Sequence, residues 1–175
     1  MNTAIIGFGF VGKALHNSIK NHENILIIDP KYSESDYKDL KKHNPEIIFI
    51  CLPTPMSNKG DQDCSLILDC LKKLINHKIE STIVIKSTIL PNHLKEFIRL
   101  HNDIIYSPEF LTEKNAFEDF INSKFMIFGG EEKSCQKISD YFKEHSKCEG
   151  FDEIYTDIVT ASFVKYSINT FWHQR

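Results

Sequence analysis

The chain has 175 residues, 41% of them hydrophobic and 26% charged, with a formal net charge of −3. That length suits one domain with a sizeable core, and the charge balance excludes a broadly basic nucleic-acid binder and an acidic disordered chain. The longest apolar runs, such as EIIFICL, fall far short of the roughly 20 residues that cross a bilayer.

The start, MNTAIIGFGF, has no basic n-region and reads directly as a first strand rather than a secretory signal. TAIIG is that strand, followed by a helix over 10–21 with Val11, Leu15 and Ile19 on one face. ILIID is the next strand, then comes a polar stretch rich in Lys, Asp and Ser, then the strand EIIFICL. PTPMSNKGDQD is a loop punctuated by proline and glycine. Residues 64–78 form a helix with Asp63 as N-cap and Ile67, Leu71, Leu74 and Ile75 on one face. TIVIK is a strand, and Pro91 opens the helix PNHLKEFIRLH. DIIYS and KFMIFGG are further strands, residues from Glu131 to about His145 form an amphipathic helix, and a last helix runs from about residue 156.

Strands alternating with helices, uncharged and β-branched, imply a buried parallel sheet. With right-handed crossovers the expected fold is α/β, a Rossmann-like, doubly wound, mostly parallel sheet with a C-terminal α-helix that the domain does not need for its own core. The five cysteines, Cys51, Cys64, Cys70, Cys135 and Cys148, are odd in number and include no C-x-x-C pair. They are expected to be reduced thiols of a cytoplasmic protein, with no disulfide framework and no metal site.

GFGFVG places Gly7, Gly9 and Gly12 in the G-x-G-x-x-G spacing. Gly7 permits a tight turn, Gly9 lets a pyrophosphate approach the backbone, and Gly12 lets the helix pack close to the sheet. The helix start adds unpaired N–H groups and a positive dipole end. Asp29 ends the second strand, near the expected interval of about 20 residues, where its carboxylate can accept from ribose hydroxyls and repel a 2′-phosphate. The expected cofactor is therefore NAD rather than NADP, against the plainer reading of a glycine turn and a loop-capping aspartate.

In such a sheet, ligands sit beyond the carboxyl ends of the strands. CLPTP (51–55) offers the Thr54 hydroxyl or is simply a rigid turn. In KSTILP (86–91), Ser87 and Thr88 can meet a cofactor, orient a water or cap the helix behind them. In SPEFLTEKNAFEDF (107–120), Glu109 and Glu113 stand four apart, sharing a face if the segment is a helical turn. One of them can then serve as a general base, or both are solvated. Lys165 and Asn169 share a helix face as well; together they can steady an oxyanion, although Lys and Asn on an exposed helix face are commonplace.

The ordered set GFGFVG, CLPTP, KSTILP, SPEFLTE…A and KYSIN, spread over essentially all 175 residues, resembles the N-terminal half of the UDP-glucose/GDP-mannose dehydrogenase family. The resemblance implies oxidation of the C6 alcohol of a nucleotide sugar to a carboxylate with two NAD, by way of an aldehyde, a thiohemiacetal and a thioester on a cysteine. It places NAD against Gly7, Phe8, Gly9, Phe10, Val11, Gly12, Asp29, Leu52, Pro53, Thr54, Ser87, Thr88 and Glu113. It makes Thr88 the positioner of a catalytic water and Glu109 a base in thioester hydrolysis. Phe110, Leu111 and Thr112 would touch the sugar nucleotide through their backbone, and Lys165 and Asn169 would steady the oxyanionic intermediates.

Residues 1–155 are then the NAD-binding domain and 156–175 the start of a central helix, with the substrate domain and its G-G-x-C cysteine absent from the chain. The implied partners are a nucleotide sugar and, through the helix, a second copy; no nucleic acid and no membrane are expected. An apolar stripe of Ile158, Ala161, Val164, Ile168 and Trp172 must either pack on the domain or self-associate. The family pattern is broken at Asn115, where glycine is usual, in INSKF, where Pro and Arg are usual, and at Ser162, where an acid is usual. Two other readings are a non-catalytic dinucleotide- or partner-binding module and a β-hydroxyacid dehydrogenase relative.

Overall fold

Runs of β-branched residues form the strands Thr3–Ile6 (β1), Ile25–Ile28 (β2), Ile47–Ile50 (β3) and Thr82–Ile85 (β4) in the computed structural model, which describes residues 1–58 and 60–172. Trp172 is described by its backbone alone. Strand β1 is central, pairing in parallel with β2 on one side and β3 on the other. Beyond β3 lie β4 and Ile104–Tyr106 (β5), both parallel. Phe125–Gly129 (β6) runs antiparallel to β5, and Asp152–Thr156 (β7) pairs in parallel with β6. The order is β2-β1-β3-β4-β5-β6-β7. Every residue of β1, β3 and β4 is buried, as both-sided burial of a parallel sheet requires.

The helices are Phe10–Ser18 (α1), Asp39–His43 (α2), Ser65–Asn76 (α3), Pro91–Leu100 (α4), Ala116–Ile121 (α5), Glu132–His145 (α6) and Ile158–Trp172 (α7). One face of the sheet packs Ile6 and Ile50 against Leu71, Leu94, Phe97 and Ala161 of α3, α4 and α7. The other packs Ile5 and Phe49 against Leu15, Phe120 and Phe142 of α1, α5 and α6. The fold is the α/β doubly wound, Rossmann-like sheet expected from the sequence.

Five elements differ from expectation, among them α2, which lies in the expected polar stretch, and α5, which lies in the segment after β5. Helix α1 stops at Ser18 rather than near 21. The Ser18 hydroxyl donates to Leu15 O at 2.6 Å, and Ile19 turns extended and bridges to Ser146. Strand β7 was not foreseen because its DEIYT sequence is charged and largely exposed; its backbone pairing with β6 makes it a strand. Helix α7 is not dispensable: Ile158 and Ala161 are buried in the core beside α4, β5 and β6. Val164 and Ile168 of the same stripe are half-buried. The stripe therefore packs on its own domain, while Phe163 and Phe171 face outward at 60% and 72% exposure. The Trp172 side chain and residues 173–175 lie outside the described residues.

Lys86, just past β4, is buried against the α5 and α6 layer. Its Nζ lies 3.3 Å from Ser107 Oγ and 5.7 Å from the ring centroids of Phe120 and Phe142. Burial brings its pKa down to about 8.

Two outcomes are expected. At Gly129 a Cβ would lie 2.6 Å from the Ala161 Cβ and 3.0 Å from Asp157 O. Gly129→Val should therefore cost about 1–3 kcal/mol in thermal denaturation by prising α7 off the sheet. The lowered Lys86 pKa means that between about pH 8 and the ordinary 10.5 the unfolded chain binds more protons, so stability rises with pH there. Lys86→Met should be the more stable form at pH 7. Its advantage should shrink by about 3 kcal/mol across that window, as read by urea denaturation at each pH.

Candidate cofactor site

Because β2 and β3 flank β1 on opposite sides, their connections leave a crevice beyond the carboxyl end of β1. A cavity of about 500 Å³ opens there. Gly7, Phe8, Gly9, Phe10 and Val11 line it after β1, and Asp29 after β2. Leu52, Pro53 and Thr54 follow β3, Ser87 and Thr88 follow β4, and Glu109 follows β5. The expected cofactor residues, Gly12 and Glu113 apart, thus converge with Glu109 from five strand ends.

The three glycines differ in what surrounds them. Gly7 has φ +92°, a left-handed conformation that disfavours any side chain, and a Cβ there would sit 2.7 Å from Cys51 O. At Gly12 a Cβ would lie 2.2 Å from Gly7 O, which places this residue under the turn and outside the cavity lining. At Gly9 a Cβ would meet nothing within 4 Å, so the backbone there borders open space. Gly9 is also the N-cap of α1, with no side-chain cap and no acid in the first turn, so the helix N–H groups face the cavity unopposed.

Asp29 is half-buried; its Oδ2 accepts from Phe8 N–H at 2.7 Å and its Oδ1 from Lys31 N–H at 2.9 Å. Each oxygen keeps capacity to accept a further hydrogen bond. Lys31, Tyr32 and Cys51 also line the site, beyond the sequence expectation. The Tyr32 ring packs edge-on to Phe8 with 5.7 Å between centroids, under Lys13 Nζ at 4.2 Å. Nothing in the polar stretch after Asp29 sets Tyr32 apart, since its position follows from the path of the loop. Cys51 lines the cavity too, but burial pushes its thiol up to about 12, and Cys64, Cys70 and Cys135 stand at about 11 to 12. These groups remain thiols near neutrality, without the thiolate that nucleophilic attack needs.

At the far end, two expected cofactor donors are engaged elsewhere. Thr54 Oγ1–H donates to Thr88 O at 2.7 Å, and Ser87 Oγ–H donates to Leu52 O at 2.6 Å. These hydroxyls tie the loops after β3 and β4 together and keep only their acceptor capacity for a ligand.

The shared helical face of Glu109 and Glu113 does not form. No helix spans 107–112; Glu113 opens a short 3₁₀ turn, Glu113–Asn115, and is exposed outside the cavity lining. Glu109 pairs instead with Lys165. Its Oε1 lies 3.5 Å from Lys165 Nζ, its Oε2 accepts from Leu111 N–H at 2.6 Å, and Lys165 also donates to the Glu109 carbonyl. Both side chains are under 10% exposed, at 4% for Lys165 and 9% for Glu109. Burial lowers the Lys165 pKa, and the Glu109 carboxylate opposes that shift. Lys165 is therefore no solvated surface lysine. Asn169, one turn on, is half-buried.

The departures from the family pattern have local explanations. Asn115 sits at φ −121°, ψ 26°, a conformation that does not demand glycine. Ser162 is fully buried and donates to Ile89 O at 2.6 Å, pinning α7 to the loop after β4. In INSKF, the Ser123 hydroxyl donates to Asp119 O at 2.9 Å, closing the end of α5. Phe110 and Thr112, with Lys124, Phe125 and Ile168, line a second cavity of about 480 Å³ beside α7, while Leu111 packs half-buried on the opposite core layer. Among the described residues, no helix is long and apolar enough to cross a membrane, and no group of three or more His, Cys, Asp or Glu side chains is placed to hold a metal ion.

Residues 32–156 match the UDP-glucose/GDP-mannose dehydrogenase family, NAD binding domain. The glycine turn and Asp29 precede that segment, so they support the same conclusion independently. A UDP-glucose 6-dehydrogenase of Rickettsia bellii is 31% identical over 148 residues, covering 81% of this chain and 34% of the relative. One from Campylobacter jejuni is 25% identical, covering all of this chain and 53% of the relative. The GDP-mannose dehydrogenase of Pseudomonas aeruginosa superposes with a TM-score of 0.77 at 20% identity, over 99% of this chain and 50% of that one. The chain spans between about a third and a half of the length of these relatives. It belongs to the UDP-glucose/GDP-mannose dehydrogenase family, and what it carries is the family's NAD-binding domain.

Proposed function

We propose that this chain is the cofactor-binding half of a nucleotide-sugar 6-dehydrogenase working in the cytoplasm, with Glu109 and Lys165 at the reacting end of the site. The observation that carries the proposal is the little-exposed Glu109–Lys165 pair, whose Glu109 lines the cavity from the end of β5 while Asp29 lines it from the end of β2. NAD fits the residues present: open space over Gly9, an uncapped helix start for a pyrophosphate, and a carboxylate at the ribose position. Gly7, Phe8, Gly9, Phe10, Val11 and Asp29 hold the ADP half, with Gly12 supporting the turn. Leu52, Pro53, Thr54, Ser87 and Thr88 border the nicotinamide half.

Bound NAD supplies a hydride acceptor. Lys165, kept beside a carboxylate in a dry setting, offers a preorganised cation to an oxyanion, and Asn169 adds an amide on the same helix. Glu109 has the reach to accept a proton from a water that Thr88 orients. A cysteine nucleophile is the part that the described thiols do not supply, and complete oxidation of a nucleotide sugar takes a further domain. The outward face of α7, with Phe163 and Phe171, is the surface for the homodimer contact that the resemblance implies.

Calorimetric titration of the chain tests the cofactor assignment. NAD should bind, and NADP should bind at least about tenfold more weakly, since Asp29 opposes a 2′-phosphate. Gly9→Thr should keep stability within about 0.5 kcal/mol, because threonine caps a helix about as well as glycine. The same change should weaken NAD at least about tenfold, by filling the space at the turn and occupying the helix N–H groups. Absence of NAD binding at millimolar concentration would overturn the proposal.

A further inference from the structure

The loop between β3 and α3 reaches the far end of the site through one side chain. Gln62 is only 7% exposed, although the residues on either side of it are exposed. Its Nε2 donates to Thr88 O at 2.8 Å and to Tyr166 OH at 3.2 Å. Its Oε1 accepts from Leu90 N–H at 2.8 Å and from the Cys64 thiol at 3.6 Å. A backbone carbonyl on one side and a backbone N–H on the other fix the orientation of the amide. Three segments thus meet on one amide: its own loop, the Thr88–Leu90 loop, and α7 one residue past Lys165. The loop is braced for this, with Ser57 N–H donating to Asp61 O at 2.7 Å and Asp63 N–H to Pro55 O at 2.8 Å.

We infer that Gln62 is a positioning residue for the nicotinamide end of the cofactor site: it sets the backbone of Thr88 and couples that loop to α7, on which Lys165 stands. The inference rests on the NAD reading above. Thr88 lines the cavity, and its carbonyl is turned away from a ligand by two donors, Thr54 Oγ1–H and Gln62 Nε2–H. Both donors come from the loop after β3. Neither touches the Asp29 end, where the turn after β1 is held by its own contacts. Loss of Gln62 should therefore be felt by the nicotinamide half of NAD and not by the ADP half.

The test compares NAD with ADP-ribose on the 175-residue chain by calorimetry, with thermal denaturation alongside. Gln62→Met has nearly the same length without donor or acceptor. Gln62→Glu keeps the acceptor for Leu90 N–H and places a carboxylate against Thr88 O. Each is expected to weaken NAD by about three- to tenfold, the scale of one or two hydrogen bonds, with ADP-ribose affinity unchanged within about twofold. Amide hydrogen exchange at Leu90 should accelerate in the methionine variant and less in the glutamate variant. If NAD and ADP-ribose weaken together in step with a falling melting temperature, Gln62 is only structural and the inference is overturned. Wild-type affinity of both variants for both ligands would overturn it too, leaving the NAD reading intact. A wild-type chain that binds neither ligand would remove the NAD reading, and this inference with it.

Discussion

The site depends first on the closeness of the turn between β1 and α1. A Cβ on Gly12 would be 2.2 Å from the Gly7 carbonyl, and one on Gly7 would be 2.7 Å from the Cys51 carbonyl. This crowding brings the start of α1 down onto the sheet between β2 and β3. It also determines where the helix N–H groups point and how near the Cys51–Thr54 loop comes to them. The open space over Gly9 is the complement of that crowding: two glycines are needed because the chain touches itself, and the third borders the space a ligand would take.

A second constraint is shared among short polar side chains that cap backbone carbonyls of neighbouring loops. Thr54 donates to Thr88 O, Ser87 to Leu52 O, Ser162 to Ile89 O and Gln62 to Thr88 O. Loops at a strand end carry carbonyls that no ladder satisfies, and burying them requires a donor. In this domain the same bonds that satisfy those carbonyls also set the distance between loops. The Thr54 and Ser87 hydroxyls, which line the cavity, thus look one at a time like ligand contacts.

Charge is treated differently on the two faces of the sheet. Lys165 lies beside Glu109, with the Phe110 ring 5.0 Å from its ammonium, so its desolvation is partly offset. Lys86 lies between aromatic rings with Ser107 as its hydrogen-bond partner, and its pKa falls to about 8. The first cation is paired with a carboxylate that lines the cavity and the second is held by a single hydroxyl, and that difference in partners separates their electrostatics.

The sequence by itself determined strands β1 to β6, most of the helices, the glycine turn and the acid at the end of β2. Each rests on a local rule: apolar period, glycine spacing, or distance from a strand end. The ordered loops also identified the family. What only the tertiary structure decided depends on partners far along the chain. Local pattern gave no strand at β7 and made α7 an appendage, because pairing with β6 and burial of Ala161 against Gly129 leave no local periodic signal. It offered Glu109 a helical neighbour in Glu113, whereas the buried partner is Lys165, 56 residues away. It gave no weight to Gln62 or Tyr32, whose roles come from where the loops run. Hydrogen bonds and ion pairs across such separations are set by packing, and a single sequence carries no period or spacing that records them.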